Sequence, residues 1–171
     1  RVEDLISFVD LAPTWLELAG LTAEAAGMPP ITGRSLLDIF ADAAGRPRRD
    51  HVLIGAERHD VGRPYDWGYP MRGLVERDWL YVRNEEPMRW PAGNPETGYL
   101  NTDGSPTKTF LLEWRRREPD SPLARRWWEL SFGRRPLEEL YHLGTDPDGV
   151  TNLAARAEFA EQLAAQDGRA L

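Results

Sequence analysis

The chain has 171 residues, of which 41% are hydrophobic and 29% charged, with a formal net charge of −7 and no cysteine. A chain of this length buries roughly 70% of its unfolded surface, enough for one domain or one domain with an appendage. The acidic balance argues against nucleic acid as a partner. The missing cysteines exclude disulfides and thiolate metal sites. No apolar run approaches the ~18 residues of a membrane-spanning helix.

Residues 10–20 read as a capped amphipathic helix. Asp10 is a good N-cap residue, and Pro13 sits in the first turn, where its missing N–H costs little. Leu11, Trp15, Leu18 and Ala19 make one apolar stripe, and Gly20 supplies the stop. Residues 28–33 form an irregular connection, and residues 35–43 a short helix or turn. The polar stretch 44–50 marks a boundary, dividing a leading piece (1–44) from the rest (51–171). Residues 51–57 predict a buried strand. Residues 69–75 and 79–84 predict an antiparallel hairpin around Glu76, Arg77 and Asp78. Trp79 and Tyr81 share one of its faces, Leu80 and Val82 the other. Residues 84–108, rich in proline and glycine, read as a long loop, packed through Trp90 and Tyr99. Residues 123–130 predict a helix anchored by Trp127 and Trp128, and 137–143 a last strand. The turn Asp146-Pro147-Asp148-Gly149 follows, and residues 154–165 form a closing helix with Phe159 and Leu163 at i, i+4 spacing. The sum is an α+β chain: an antiparallel sheet of about four strands with flanking helices.

Residues 137–154, Leu-Glu-Glu-Leu-Tyr-His-Leu-Gly-Thr-Asp-Pro-Asp-Gly-Val-Thr-Asn-Leu-Ala, resemble the C-terminal signature of sulfatases. His142 stands where that family usually has Asp. Residues 8–20, Phe-Val-Asp-Leu-Ala-Pro-Thr-Trp-Leu-Glu-Leu-Ala-Gly, look like the sulfatase helix that closes the large α/β domain. Between them, residues 57–60, 69–72, 80–84, 89–95, 104–108 and 132–141 follow one another as in the heparan N-sulfatase (sulfamidase) branch and its bacterial relatives. The resemblance spans nearly the whole chain. It implies the sulfatase C-terminal subdomain of the alkaline-phosphatase-like superfamily, preceded by a helix belonging to the large domain.

The resemblance implies a parent hydrolase acting on sulfuric esters or N-sulfate of saccharides, with formylglycine as nucleophile and Ca²⁺ or another divalent cation on the sulfate. Neither requirement is met by this sequence. There is no cysteine, Ser105-Pro106 and Ser121-Pro122 have the wrong spacing for the formylglycine motif, and paired acidic ligands are absent. No catalytic or metal-binding residue is therefore assigned here. Nucleophile and cation belong to a missing N-terminal domain, the expected partner, and the chain alone is expected to be inert. Arg1 is not a natural start, so an upstream signal segment is also expected. The family resemblance implies a periplasmic or extracellular location.

Candidate substrate contacts are Glu57, Arg58, His59 and Asp60, which follow a strand, and Arg72. Arg58 suits an anion, and His59 a sulfate or sugar hydroxyl. The competing reading is a surface turn with Glu57 and Arg58 paired, and an Arg72 paired to Glu57 or Glu76. Arg63 is a further cation of the same kind. His51 and His142 read as structural, residues 115–117 as a solvated patch, and the tryptophans as packing or as sugar-stacking platforms. Two other functions remain open: a non-catalytic binding module with this fold, and a fragment of a related phosphate or phosphonate hydrolase. The apolar stripe on the first helix predicts self-association of the isolated chain.

Overall fold

The computed structural model describes residues 3–41, 49–58, 63–95 and 98–170. The chain divides into two compact units, residues 1–52 and 53–171.

In the first unit a 3₁₀ turn, Phe8–Asp10, runs into α1, Leu11–Leu18. Asp10 does not cap α1, contrary to the sequence expectation. Its carboxylate is fully buried and accepts the N–H groups of Ser7 and Arg34, both at 2.9 Å, and the Arg49 guanidinium at 2.7 Å. The nearest of these donors caps the 3₁₀ turn; the other two lie far along the sequence, where local pattern cannot show them. Thr14 continues this polar seam, donating to Asp10 O at 2.6 Å and accepting from Leu36 N at 2.9 Å. Gly20, at φ +68°, ends α1 as expected: its N–H reaches Glu17 O and that of Leu21 reaches Leu16 O. The short helix α2 is Leu37–Phe40.

The second unit is built on a sheet of order β1-β2-β3-β4. The strands are β1, Val52–Ala56; β2, Met71–Val75; β3, Trp79–Asn84; and β4, Glu138–His142. The hairpin β2–β3 is antiparallel with Gly73 opposite Val82, and β3–β4 is antiparallel with Tyr81 opposite Leu140. β1 is not the buried strand its apolar run predicts. Only Val52 is buried, while Leu53 and Ile54 are 56% and 41% exposed. β1 is the edge of the sheet, and a short apolar run reports strand propensity without telling whether both faces are covered.

Alternation along β3 sends Trp79 and Tyr81 to one face. There Tyr81, Leu140 and Leu153 form a core closed by Trp79, Phe159 and Leu163. The closing helix α5 is Ala160–Ala170, preceded by a 3₁₀ turn at Ala157–Phe159. It starts later than the sequence predicts because Asn152 first organises the chain: its Oδ1 accepts the N–H of both Leu140 and Ala154 at 2.9 Å. α5 is tied down by Gln166 on Glu76 and by Asp167, which accepts from Tyr81 Oη at 2.8 Å.

The predicted loop 84–108 ends early. Ser105 caps a helix the sequence reading lacked, α3, Pro106–Arg117, its hydroxyl accepting Lys108 N–H at 3.1 Å. α4 is Pro122–Phe132, capped by Ser121 in the same way. The remaining loop is packed: Ala92, Tyr99 and Phe132 form a second core with Leu111, Leu112 and Trp128. Lys108 Nζ donates to the carbonyls of Tyr99 and Thr102, at 3.0 and 2.7 Å, pinning the loop end to α3.

Candidate functional site

Three of the candidate residues, Glu57, Arg58 and Arg72, gather where β1 ends and β2 begins. Glu57 and Arg58 leave β1, and Arg72 sits in β2. Glu57 and Arg58 do not pair with each other. Glu57 forms an ion pair with Arg72, and Arg58 one with Asp66, a residue the sequence reading passed over. Arg72 also donates to Met71 O at 2.9 Å. All four side chains are exposed by between 41% and 69%, so the pairs contribute about 0–1 kcal/mol each and exchange readily for a ligand. His59 and Asp60 lie outside the described residues.

Residues 63–68 brace this corner. Pro64–Asp66 form a 3₁₀ turn in which Tyr65 and Asp66 adopt φ +57° and +58°. Side chains other than glycine rarely hold this conformation, which costs on the order of 1–3 kcal/mol and is often found at functional positions. The turn is held by Asp66 N–H on Arg63 O and Trp67 N–H on Pro64 O, at 3.1 and 3.3 Å. Gly68 passes so close to Glu57 that a Cβ would stand 2.5 Å from the Glu57 carbonyl oxygen. Tyr65 and Trp67 are exposed and lie 5.6 Å apart, with the Arg89 guanidinium 5.0 Å from the Trp67 ring. The only sequence signal for this aromatic corner is the Arg63-Pro64 start of a turn.

Arg63 behaves differently from Arg58 and Arg72. It is buried, donates to the carbonyls of Trp90 and Pro91 at 2.8 and 2.6 Å, and lies 5.4 Å from the Tyr69 ring centre. Burial pushes its pKa below the usual guanidinium value, and its Nη1 has no hydrogen-bond partner among the described residues. Its bonds hold the loop of the second core, which makes it a structural cation. His51 pairs with Asp50 at 2.7 Å. His142 meets the Trp79 ring edge-on at 4.6 Å and bonds Thr145 at 3.0 Å, packing contacts in both cases.

The arrangement offers two guanidinium groups, each on an exchangeable carboxylate, beside exposed aromatic rings. That suits an anionic, ring-bearing ligand. Among the described residues no group of three or more His, Asp or Glu side chains converges as a metal site. The donor set here does not fit the divalent cation of a sulfatase, so no step through a metal is derived on this chain. Among the described residues no helix is long and apolar enough to cross a membrane.

No protein-family model matches this sequence, and no curated protein matches it. Solved structures do. BT1596, described as a 2-O GAG sulfatase, is similar over 99% of this chain and 25% of its own, at TM-score 0.52 and 18% identity. BT4656, solved with its substrate D-glucosamine-2-N,6-O-disulfate, covers 94% of this chain at TM-score 0.49 and 15% identity. A structure from Bacteroides thetaiotaomicron VPI-5482, provisionally assigned as a sulfatase, covers 94% at TM-score 0.48 and 18% identity. The chain spans about a quarter of the length of these proteins or less. At 18% identity the likeness to BT1596 concerns the fold alone. The four-stranded sheet with its flanking helices is the fold of a sulfatase C-terminal subdomain.

Proposed function

We propose that these residues are the C-terminal part of a sulfatase of the sulfamidase-like branch. The parent cleaves sulfuric ester or N-sulfate bonds on a sulfated saccharide, in the periplasm or outside the cell. The nucleophile, a formylglycine, and a Ca²⁺ or similar cation are supplied by an N-terminal domain. This part shapes the rim of the substrate pocket through Glu57, Arg58, His59, Asp60 and Arg72. The observation that carries the reading is the 137–154 sulfatase signature lying on β4 and the turn after it, in a chain with the fold seen in BT1596. The half-exposed Arg58 and Arg72 support it, because each can leave its carboxylate for a sulfate at little cost. Residues 1–44 are the tail of the large domain in this reading, and 51–171 the subdomain. The apolar face of α1 then meets the large domain, and in the isolated chain it drives self-association.

The test is kinetic, in the intact parent, with Arg58→Ala and His59→Ala. A contact made equally in ground and transition states raises KM and leaves kcat nearly unchanged. Losing a hydrogen bond to a charged group costs about 1.5–3 kcal/mol, so kcat/KM should fall roughly ten- to a hundred-fold. Melting temperatures should stay within a degree or two of the parent, at about the ±0.5 kcal/mol level of surface substitutions. Unchanged kcat/KM in both variants removes the substrate role.

A further inference from the structure

The sequence holds three Asp-Gly pairs, at 103–104, 148–149 and 167–168. An aspartate followed by glycine can cyclise, the glycine amide nitrogen attacking the aspartate side-chain carbonyl carbon. Glycine favours the step, since it has no side chain to hinder the ring and the least restricted backbone. The step needs an amide nitrogen that is not engaged and a chain that can leave its average conformation. The fold therefore decides which pair reacts.

Two of the pairs are held. Gly149 N–H donates to Asp146 O at 3.0 Å, and the Asp146 carboxylate fixes the same turn by accepting from Val150 N at 2.9 Å and Thr151 N at 2.7 Å. Gly168 lies in α5, where backbone amides are engaged along the helix. Its neighbour Asp167 accepts from Tyr81 Oη at 2.8 Å and from Arg83 Nη1 at 3.1 Å. The third pair is open. Asp103 and Gly104 are exposed, outside any helix or strand, just before the Ser105 cap of α3. Neither the Asp103 carboxylate nor the Gly104 N–H makes a hydrogen bond among the described residues. A Cβ placed on Gly104 meets nothing within 4 Å.

We propose that Asp103 is a site of spontaneous isomerisation to isoaspartate. The Gly104 nitrogen bonds to Asp103 Cγ and gives up its proton, one carboxyl oxygen leaves as water, and a succinimide ring results. Water then opens the ring. Breaking the new N–Cγ bond restores aspartate. Breaking the bond from that nitrogen to the Asp103 main-chain carbonyl carbon leaves the backbone running through the side chain. One water is lost and one regained, so the mass is unchanged and no other reactant is needed. The product carries one extra backbone carbon between Thr102 and Ser105. On either side of it the chain is tied to one residue: Thr102 O accepts from Lys108 Nζ at 2.7 Å, and the Ser105 hydroxyl from Lys108 N–H at 3.1 Å. Both bonds fit the present length of backbone between them, and the added carbon changes that length. Isomerisation therefore releases the end of the loop from the start of α3.

The test ages the 171-residue chain at neutral pH, once folded and once in concentrated urea. Trypsin then leaves the three pairs on separate peptides. Isoaspartate is located by electron-transfer fragmentation and quantified by methyl transfer from S-adenosylmethionine with a purified isoaspartyl methyltransferase. In the folded chain it should accumulate several-fold faster at Asp103 than at Asp148 or Asp167. In urea the three rates should converge, because only the fold distinguishes the pairs. Gly104→Ala has open space for its methyl, so it should stay folded and slow the reaction at Asp103 several-fold. Equal rates at the three pairs in the folded chain overturn the proposal, as does an absence of isoaspartate at Asp103. The aged chain should also exchange its Lys108 amide faster than the fresh one. Unchanged exchange in isomerised chains overturns the release of the loop.

Discussion

Asp10 places a charge out of reach of solvent, and its partners decide the outcome. Burial raises its pKa, but the N–H groups of Arg34 and Ser7 and the Arg49 guanidinium outweigh this and leave it below its ordinary 3.8. A carboxylate with a depressed folded value contributes stability that is complete above the unfolded value. That contribution is lost as pH falls through the folded one. The unit 1–52 should therefore hold its stability down to about pH 4 and lose it below. Asp10→Asn should cost about 2–3 kcal/mol at neutral pH, by weakening three charge-assisted bonds, and should remove the acid dependence. Hydrogen exchange at the Arg34 and Leu36 amides measures both effects; unchanged protection in Asp10→Asn would contradict this role. Part of the residue scale is legible in sequence. The distinctive spacing of residues 8–20 singles out Asp10, but its bonds to residues 24 and 39 positions away leave no local trace. Arg63 is the converse case. Nothing in its sequence context marks it as buried, and only burial separates a loop-holding cation from an exchangeable one.

At the scale of elements, what reads clearly is what periodicity and capping determine. The β2–β3 hairpin, α4, the last strand and the Gly20 stop all lie within a few residues of their expected places. α3 is missed although Ser105-Pro106 is a good start signal, because its sequence is strongly polar and its apolar residues, Phe110, Leu111, Leu112 and Trp114, do not form a clean stripe. The exposure of β1 is invisible to sequence for the reason given by its edge position. The candidate corner depends on one close approach between elements. Gly68→Ala would push a methyl into the Glu57 carbonyl, and neither backbone can yield without moving the 63–68 turn. Overpacking of this kind costs about 1–3 kcal/mol. The variant should melt several degrees lower, with the shift confined on NMR spectra to residues 56–58 and 63–69. An unaltered melting temperature would mean that the turn does not rest on Glu57.

For the molecule as a whole, the distribution of polarity on α1 carries the most information. Its inner side holds Thr14, next to Asp10 of the preceding turn, and its outer side Leu11, Trp15 and Leu18, at 41%, 64% and 56% exposed. A helix with polar groups inside and apolar groups outside is reversed for a free domain. The proposed function supplies a consistent reason: there a large domain covers that face. The signature element and the order of motifs made the fold class readable from sequence alone. The candidate corner was only partly readable, since Asp66 reaches Arg58 from the 64–66 turn, eight residues along the chain. The most direct measurement compares the intact parent with the isolated 171 residues on three substrates: an N-sulfated glucosamine, an aryl sulfate and an aryl phosphate, each with added Ca²⁺. The account predicts sulfate release by the parent, little or no phosphate release, and no turnover by the isolated chain. A parent that cleaves the phosphate ester and leaves both sulfated substrates intact, or turnover that stays with the isolated chain through repurification, would contradict it.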